Sequence, residues 1–156
     1  MAEIQVINGS ENSTHPDSPL SILVEFYQAF NQQNLALMAR NWLQSESIAM
    51  SNPLGGVKRG WNEIGAVYER IFNGPARVFV EFYDFNIQQT DLMFCVVGHE
   101  RGYFELANKR IELAIRTSRI YQNINNRWQQ IHHHGSIDRA DLLKQYQTAV
   151  LELSRS

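Results

Sequence analysis

Three of the five histidines in the sequence stand side by side near its C-terminal end, as His132, His133 and His134. Because residues two apart share one face of a β-strand, His132 and His134 are expected to point together and His133 to point away. The same alternation predicts that Trp128 and Gln130 share the face of the pair. Two imidazoles at this spacing can chelate a transition metal, exchange hydrogen bonds with a polar ligand near neutral pH, or form a structural pair within the sheet.

A metal site at the histidine pair would require a third or fourth ligand at a suitable spacing. Cys95 lies in an apolar run, and the carboxylates of the later strands are scattered rather than grouped. Because no second pair of ligands has the spacing of a closed site, we predict no metal and no cofactor. His132 and His134 are predicted to line a ligand-binding pocket through their hydrogen-bonding groups, and a structural pair within the sheet is the alternative.

Arg119 is the predicted companion of the histidines. Asn125 and Asn126 mark a hairpin tip, and residues 119 and 134 lie at comparable distances from it, so these two side chains are expected to meet across neighbouring strands. In an apolar, aromatic-lined pocket a guanidinium binds a carboxylate through two parallel hydrogen bonds. The alternative is a surface arginine on the outer face, and strand alternation does not decide between the two faces.

Two aromatic residues on the third predicted helix are candidates for the wall of the same pocket. Trp61 and Tyr68 are seven residues apart, which places them on one face of a helix. A stripe of this kind more often belongs to the ordinary core than to a ligand site. Both residues are nevertheless included in the predicted site as its apolar wall.

Helical spacing of apolar residues is replaced by strand alternation near the middle of the chain. Ser18 followed by Pro19 is typical of a helix start, and Gly74 followed by Pro75 is typical of a helix end. Helices are predicted near residues 18–30, 34–42, 61–73 and from about 138, and strands over 47–51, 77–88, 92–105, 110–123 and 127–136. Helices followed by a run of strands predict an α+β fold with helices packed on one face of an antiparallel sheet.

The first long strand is apolar on both of its faces. Val80 and Phe82 point to one side, whereas Phe79 and Tyr83 point to the other. Because three modest helices cannot readily cover both faces of the sheet, we predict a homodimer in which the outer sheet faces pack together.

Composition indicates one soluble domain with a polar leader. Fourteen basic and 16 acidic residues give a net charge of −2, which disfavours binding to nucleic acid or to an anionic membrane. No apolar run approaches the ~20 residues that cross a bilayer. A single cysteine and the absence of a signal-peptide pattern predict a cytoplasmic location. Residues 1–17 are predicted to be a flexible leader and residues 137–156 a C-terminal helical extension.

The pattern of helix, helix, the turn Asn52-Pro-Leu-Gly-Gly56, helix and a four-stranded meander ending in W-x-x-I-H-x-H-x-S resembles the SnoaL-like branch of the nuclear transport factor 2-like superfamily. The resemblance covers residues 18–136. Residues 117–121 and 128–136 look most like the association domain of calcium/calmodulin-dependent protein kinase II. The resemblance implies a cone in which a curved antiparallel sheet wraps around N-terminal helices and leaves an apolar pocket, and it implies dimers or larger assemblies.

The resemblance also bears on activity. Ketosteroid isomerases of this fold look alignable through residues 52–64, and their general-base aspartate falls on Asn52, whose amide cannot accept a proton from a carbon acid. Asn52 is therefore assigned to the pocket without a catalytic role, and the sequence leaves open whether the protein is an enzyme. The function predicted is the binding of a small organic ligand, with a carboxylate as the expected anion. The alternatives are an association module without catalysis, and an outward-facing pair that leaves His133 as the pocket residue.

Overall fold

The computed structural model describes residues 4–12 and 15–153. Its helices are α1 (Pro19–Asn31), α2 (Leu35–Asn41), α3 (Gly60–Asn73) and α4 (Ala140–Leu153). Its strands are β1 (Val6–Ile7), β2 (Ala49–Ser51), β3 (Lys58–Arg59), β4 (Arg77–Gln89), β5 (Met93–Leu106), β6 (Lys109–Ile124) and β7 (Arg127–Ile137). The predicted α+β fold class is confirmed, with the long strands within one or two residues of their predicted bounds.

The strands form one mixed sheet in the order β1-β4-β5-β6-β7-β2-β3. Strands β4 to β7 make the predicted antiparallel meander, whereas β2 pairs in parallel with β7. Shifts of register interrupt the pairing of β4 with β5 and of β6 with β7, and β-bulges of this kind bend and twist a strand. The curved sheet that results packs its concave face against the N-terminal helices.

Helix α1 begins at a local capping signal and buries one of its faces in the core. The hydroxyl of Ser18 accepts a hydrogen bond from the backbone N–H of Ser21 at 3.2 Å, and Pro19 occupies the first turn, where a missing N–H removes no helical hydrogen bond. The buried residues of α1 recur at helical spacing and are Ile22, Leu23, Val24, Phe26, Tyr27 and Ala29. This arrangement holds Phe26 and Tyr27 over the concave face of the sheet.

Part of the expected flexible leader is docked on the fold. Strand Val6–Ile7 pairs with β4, and Ile7 is fully buried. Gly9 has a φ of +97°, and a Cβ atom on it would lie 2.3 Å from the backbone nitrogen of Gln28, so a glycine is needed for this close approach to α1. A strand of two residues is too short to create an alternating pattern, which is why composition alone predicts a leader here. Residues 1–3, 13 and 14 lie outside the described residues.

The C-terminal extension contains α4. Leu142 and Ala149 are buried, and Tyr146 packs edge-on against Phe104 of β5 with ring centroids 5.5 Å apart. The predicted extension over residues 137–156 overlaps the end of β7, and residues 154–156 lie outside the described part of the chain. Through Tyr146, α4 reaches the cavity described below.

The outer face of the sheet carries aromatic rings covered by arginines. Phe79 stacks on Tyr103 with ring centroids 5.7 Å apart, and the guanidinium of Arg110 lies 4.1 Å above the ring of Tyr103. This cover shields apolar surface from water within a single chain. The predicted homodimer stays a prediction. No helix among the described residues has the length and apolar character needed to cross a bilayer, and the cytoplasmic location also stays a prediction.

Candidate functional site

A β-bulge in β7 decides which histidine faces the interior. Consecutive residues of β6 pair with Gln130 and His132, so Ile131 has no partner and the alternation of faces changes phase there. His133 is therefore buried on the inner face like Gln130, whereas His132 is half-buried and His134 is exposed on the outer face. The prediction that His132 and His134 share the face of Gln130 is wrong, because it assumed an uninterrupted strand.

A cavity of about 90 Å³ lies between the concave face of the sheet and the N-terminal helices. Its wall is mainly apolar and its polar members are Asn52, Tyr68, Glu100, Arg119, His133 and Tyr146. Three of the predicted site residues, Asn52, Tyr68 and Arg119, therefore line one cavity. The structure does not place Trp61, His132 or His134 on its wall.

Arg119 is buried and its guanidinium is held on several sides. Nη2 donates to Oε1 of Glu100 at 2.9 Å, and Nη1 donates to Oε1 of Gln130 at 2.9 Å. The guanidinium carbon lies 3.7 Å above the ring of Phe26. Burial lowers the pKa of Arg119, but the neighbouring Tyr27 and Glu100 reverse this effect and raise the pKa above its ordinary value, so the group stays charged. The surface alternative for Arg119 is thereby excluded.

The ion pair continues into a buried hydrogen-bond network. The hydroxyl of Tyr27 donates to Oε1 of Glu100 at 2.7 Å, and at the other end Nε2 of Gln130 donates to Oδ1 of Asn41 at 3.1 Å. The hydroxyl of Tyr121 donates to the same Asn41 oxygen at 2.8 Å. Burial, followed by the charge of Glu100, raises the pKa of Tyr27 well above its ordinary value, so this phenol remains a donor.

His133 lines the cavity, and one of its ring nitrogens is held by the backbone of the neighbouring strand. Its Nδ1 lies 3.3 Å from the backbone oxygen of Ser118. Because a carbonyl oxygen only accepts, Nδ1 carries the proton and donates to it, and in the neutral ring Nε2 is left as an acceptor. Burial lowers the pKa of His133 well below its ordinary value, and the charge of Arg119 lowers it further. The imidazole is therefore neutral at physiological pH.

The remaining predicted site residues lie on other surfaces. Trp61 is half-buried at the start of α3, where its ring fills the space beside Gly65, and His134 borders a shallow outer groove with His99 and Arg116. Among residues 4–12 and 15–153, no three His, Cys, Asp or Glu side chains are arranged to hold a metal ion.

Comparison with known proteins assigns the chain to a family. A model of the SnoaL-like domain matches residues 20–139, which is most of the chain. The chain belongs to the SnoaL-like family. The resemblance predicted from the Asn52 to Gly56 turn and from the tryptophan and histidine strand is thereby confirmed.

Solved structures similar to this SnoaL-like protein share its fold. A candidate calcium/calmodulin-dependent protein kinase type II association domain from Thiobacillus denitrificans is 19% identical, with 78% of this chain and 96% of that chain covered and a TM-score of 0.63. A candidate dehydratase of the NTF2-like family from Streptomyces avermitilis is 17% identical, with 76% and 92% covered and a TM-score of 0.66. An uncharacterised protein with a cystatin-like fold from Caulobacter vibrioides is 14% identical, with 88% and 99% covered and a TM-score of 0.66.

A curated relative is also similar in sequence to this SnoaL-like chain. F-box protein SKIP8 from Arabidopsis thaliana is 24% identical over 128 residues, which cover 76% of this chain and 48% of that protein. The chain therefore spans about half the length of this curated relative.

Sequence reasoning assigned neither Glu100 to the cavity of this SnoaL-like protein nor Asn41 to the hydrogen-bond network beside it. Glu100 is an inward-facing acid in β5, and Asn41 ends α2, where it is fully buried. A signal for Glu100 was available, because an acidic residue among apolar neighbours on a buried strand requires a partner. Asn41 carried no such signal, since asparagine is common at the exposed ends of helices.

The SnoaL-like domain is expected to become less stable as the pH falls, and His133 is expected to cause part of this loss. The unfolded chain protonates this imidazole below about pH 6.5, whereas the folded chain keeps it neutral, so acid favours unfolding. Going from about pH 7.5 to about pH 5.5, wild type should lose about 1 kcal/mol more unfolding free energy than a His133→Gln variant. Urea unfolding at the two pH values measures this difference.

His134→Gln is the matched control for this measurement because His134 is its exposed neighbour on the same strand. This control should retain the acid sensitivity of wild type. An acid sensitivity that disappears in His134→Gln but persists in His133→Gln would contradict the assignment of the buried histidine.

Proposed function

We propose that this SnoaL-like protein binds a small organic molecule in the cavity between its curved sheet and N-terminal helices. The observation that carries the proposal is the cavity itself, in which Glu100, Arg119 and His133 interrupt a mainly apolar wall. An apolar pocket with a few convergent polar groups is the usual form of a small-molecule site.

The size of the cavity supports a compact ligand. Its volume of about 90 Å³ is several times the roughly 10–15 Å³ that one water molecule needs. It is below the roughly 300–1,000 Å³ of pockets that hold drug-sized molecules. A ligand of one small ring or a short chain fits these bounds. Half-buried Asn52, Pro53 and Leu54 form part of the wall.

A thermal-shift screen of small organic fragments tests the proposal. Val80 is 4% exposed and lines the cavity, so Val80→Phe places a larger side chain inside it, whereas Val97 is 41% exposed on the outer face. Fragments that raise the Tm of wild type should raise the Tm of Val97→Phe equally and that of Val80→Phe much less. If no fragment stabilises wild type, or if Val80→Phe responds fully, binding in the cavity is rejected.

A second candidate function is association of copies of this chain. Tyr103 and Phe79 form an aromatic patch on the outer face, and a structural neighbour is described as a candidate association domain. On this proposal the outer faces of two copies pack together, and the cavity has no ligand. Sedimentation of wild type and of a Tyr103→Asp variant distinguishes the two candidate functions. The variant should be more monomeric than wild type if this face is the interface.

A further inference from the structure

We infer that the ligand is a neutral hydrogen-bond donor with an apolar body, such as a phenol or an alcohol, rather than a carboxylate. The inference rests on the proposed function and identifies the chemical class that the cavity accepts. The juxtaposition of Glu100 and His133 in the cavity wall, each with an acceptor atom that no described residue occupies, carries it.

Both terminal nitrogens of the Arg119 guanidinium already have partners within the protein. Nη1 and Nη2 donate to Gln130 and Glu100, and the ring of Phe26 lies against the guanidinium at 3.7 Å. Nε is enclosed and has no hydrogen-bond partner within the described part of the chain. A carboxylate that took over the bond to Nη2 would displace Glu100 from its ion pair and leave a buried charge without a partner.

His133 supplies the first acceptor. Its Nδ1–H is used by the backbone oxygen of Ser118, so Nε2 is directed away from that bond with its lone pair free. Gly135 lies two residues further along the same face, and a Cβ atom there would be 3.2 Å from Nε2. The glycine therefore leaves this nitrogen uncovered, with Pro53 of the cavity wall on the other side.

Glu100 supplies the second acceptor. Its Oε1 accepts from both Tyr27 and Arg119, whereas Oε2 accepts no hydrogen bond from a described residue. Some enclosed side-chain atoms of the described residues have no hydrogen-bond partner, and they include Trp42 Nε1, Thr117 Oγ1 and Arg119 Nε. Oε2 of Glu100 is not among these enclosed atoms. Because Glu100 lines the cavity, Oε2 can be reached by a molecule inside it.

The charge of the cavity wall excludes ionic ligands. Glu100 and Arg119 are the charged residues on the wall within the described ranges, and they neutralise one another at 2.9 Å. An anion would be repelled by the free oxygen of Glu100 and by the lone pair of His133. A cation would be repelled by the guanidinium of Arg119 beside it. Asn52, Tyr68 and Tyr146 are neutral, and burial raises the pKa of Tyr68 to about 12. A neutral donor satisfies the acceptors without burying a new charge.

Three ligands of similar shape test the inference on the unmodified full chain. Phenol donates a hydrogen bond, anisole has the same ring without a donor, and benzoate carries the ring with a negative charge. By calorimetry at neutral pH, phenol is expected to bind at least ~10-fold more tightly than anisole and benzoate. Phenol should also shift the ring-nitrogen resonances of His133 while leaving those of His134 unchanged.

The possible outcomes separate the ligand class from the proposed function. If benzoate or anisole binds as tightly as phenol, and Val80→Phe abolishes that binding, the cavity is a ligand site but the inferred class is wrong. If phenol binds most tightly but perturbs His134 rather than His133, the inference is also overturned. If none of the three ligands binds and the fragment screen fails as well, both the inference and the proposed function are rejected.

Discussion

Replacing Arg119 with methionine is expected to lower the free energy of unfolding by about 3–5 kcal/mol, because the carboxylate of Glu100 would remain buried without its ion-pair partner. The pair is almost completely enclosed, with side chains 3% and 7% exposed, so water cannot replace the lost contact. Gln130 would lose its donor at the same time. For a chain of this size, the Tm should fall by roughly 10 °C, which differential scanning calorimetry measures.

Two further variants identify the cause of that loss. Arg101→Met breaks an ion pair with Glu81 of similar length, 2.7 Å, on the outer face, and its Tm should stay close to that of wild type. The double variant Arg119→Met with Glu100→Gln removes both charges and should recover part of the stability that the single variant loses. Equal Tm losses in Arg119→Met and Arg101→Met would show that burial of the pair has no energetic consequence.

Replacing Asn41 with leucine is expected to lower the free energy of unfolding by about 3 kcal/mol, because three buried groups would lose their partner together. Asn41 accepts from Tyr121 and Gln130 and donates to the backbone oxygen of Ile22 at 3.0 Å. Leucine has a similar volume but offers no hydrogen bond, so the loss comes from unsatisfied polar groups rather than from a cavity. Urea unfolding followed by far-ultraviolet circular dichroism gives the difference.

The controls for Asn41→Leu separate burial from helix propensity. Asn62→Leu makes the same substitution at an exposed position of α3 and should leave stability nearly unchanged. Tyr121→Phe removes one donor from the same network and should cost about 1 kcal/mol. If Asn41→Leu were as stable as wild type, the network would not contribute to the fold.

The site joins elements that are far apart in the chain. Tyr27 lies in α1 and bonds Glu100, 73 residues later in β5, and Asn41 of α2 bonds Gln130, 89 residues later in β7. No spacing rule within one helix or strand predicts contacts of this separation, because they depend on how the sheet curves around the helices. The sequence did indicate Arg119 as a pocket residue. Its distance from the hairpin tip predicted a contact with His134, whereas the structure pairs its guanidinium with Glu100 and Gln130.

The histidine run shows where strand alternation stops being a reliable guide. Alternation holds as long as each residue of one strand pairs with one residue of the next, and a single unpaired residue reverses every later side chain. Gln129-Gln130-Ile131 contains no apolar alternation that would mark the position of the bulge. His133 could therefore be identified as the interior histidine only after the pairing of β6 with β7 was known.

The sequence by itself determined the α+β class and the antiparallel meander, because periodicity and helix signals are local along the chain. Its short motifs carried the resemblance to the SnoaL-like family. Only the tertiary structure decided that His133 rather than His132 and His134 faces the cavity, that Glu100 neutralises Arg119, and that Ile7 docks beside β4. Each of these features depends on strand register and on long-range packing. One unpaired residue in β7 is enough to reverse which side chains reach the interior.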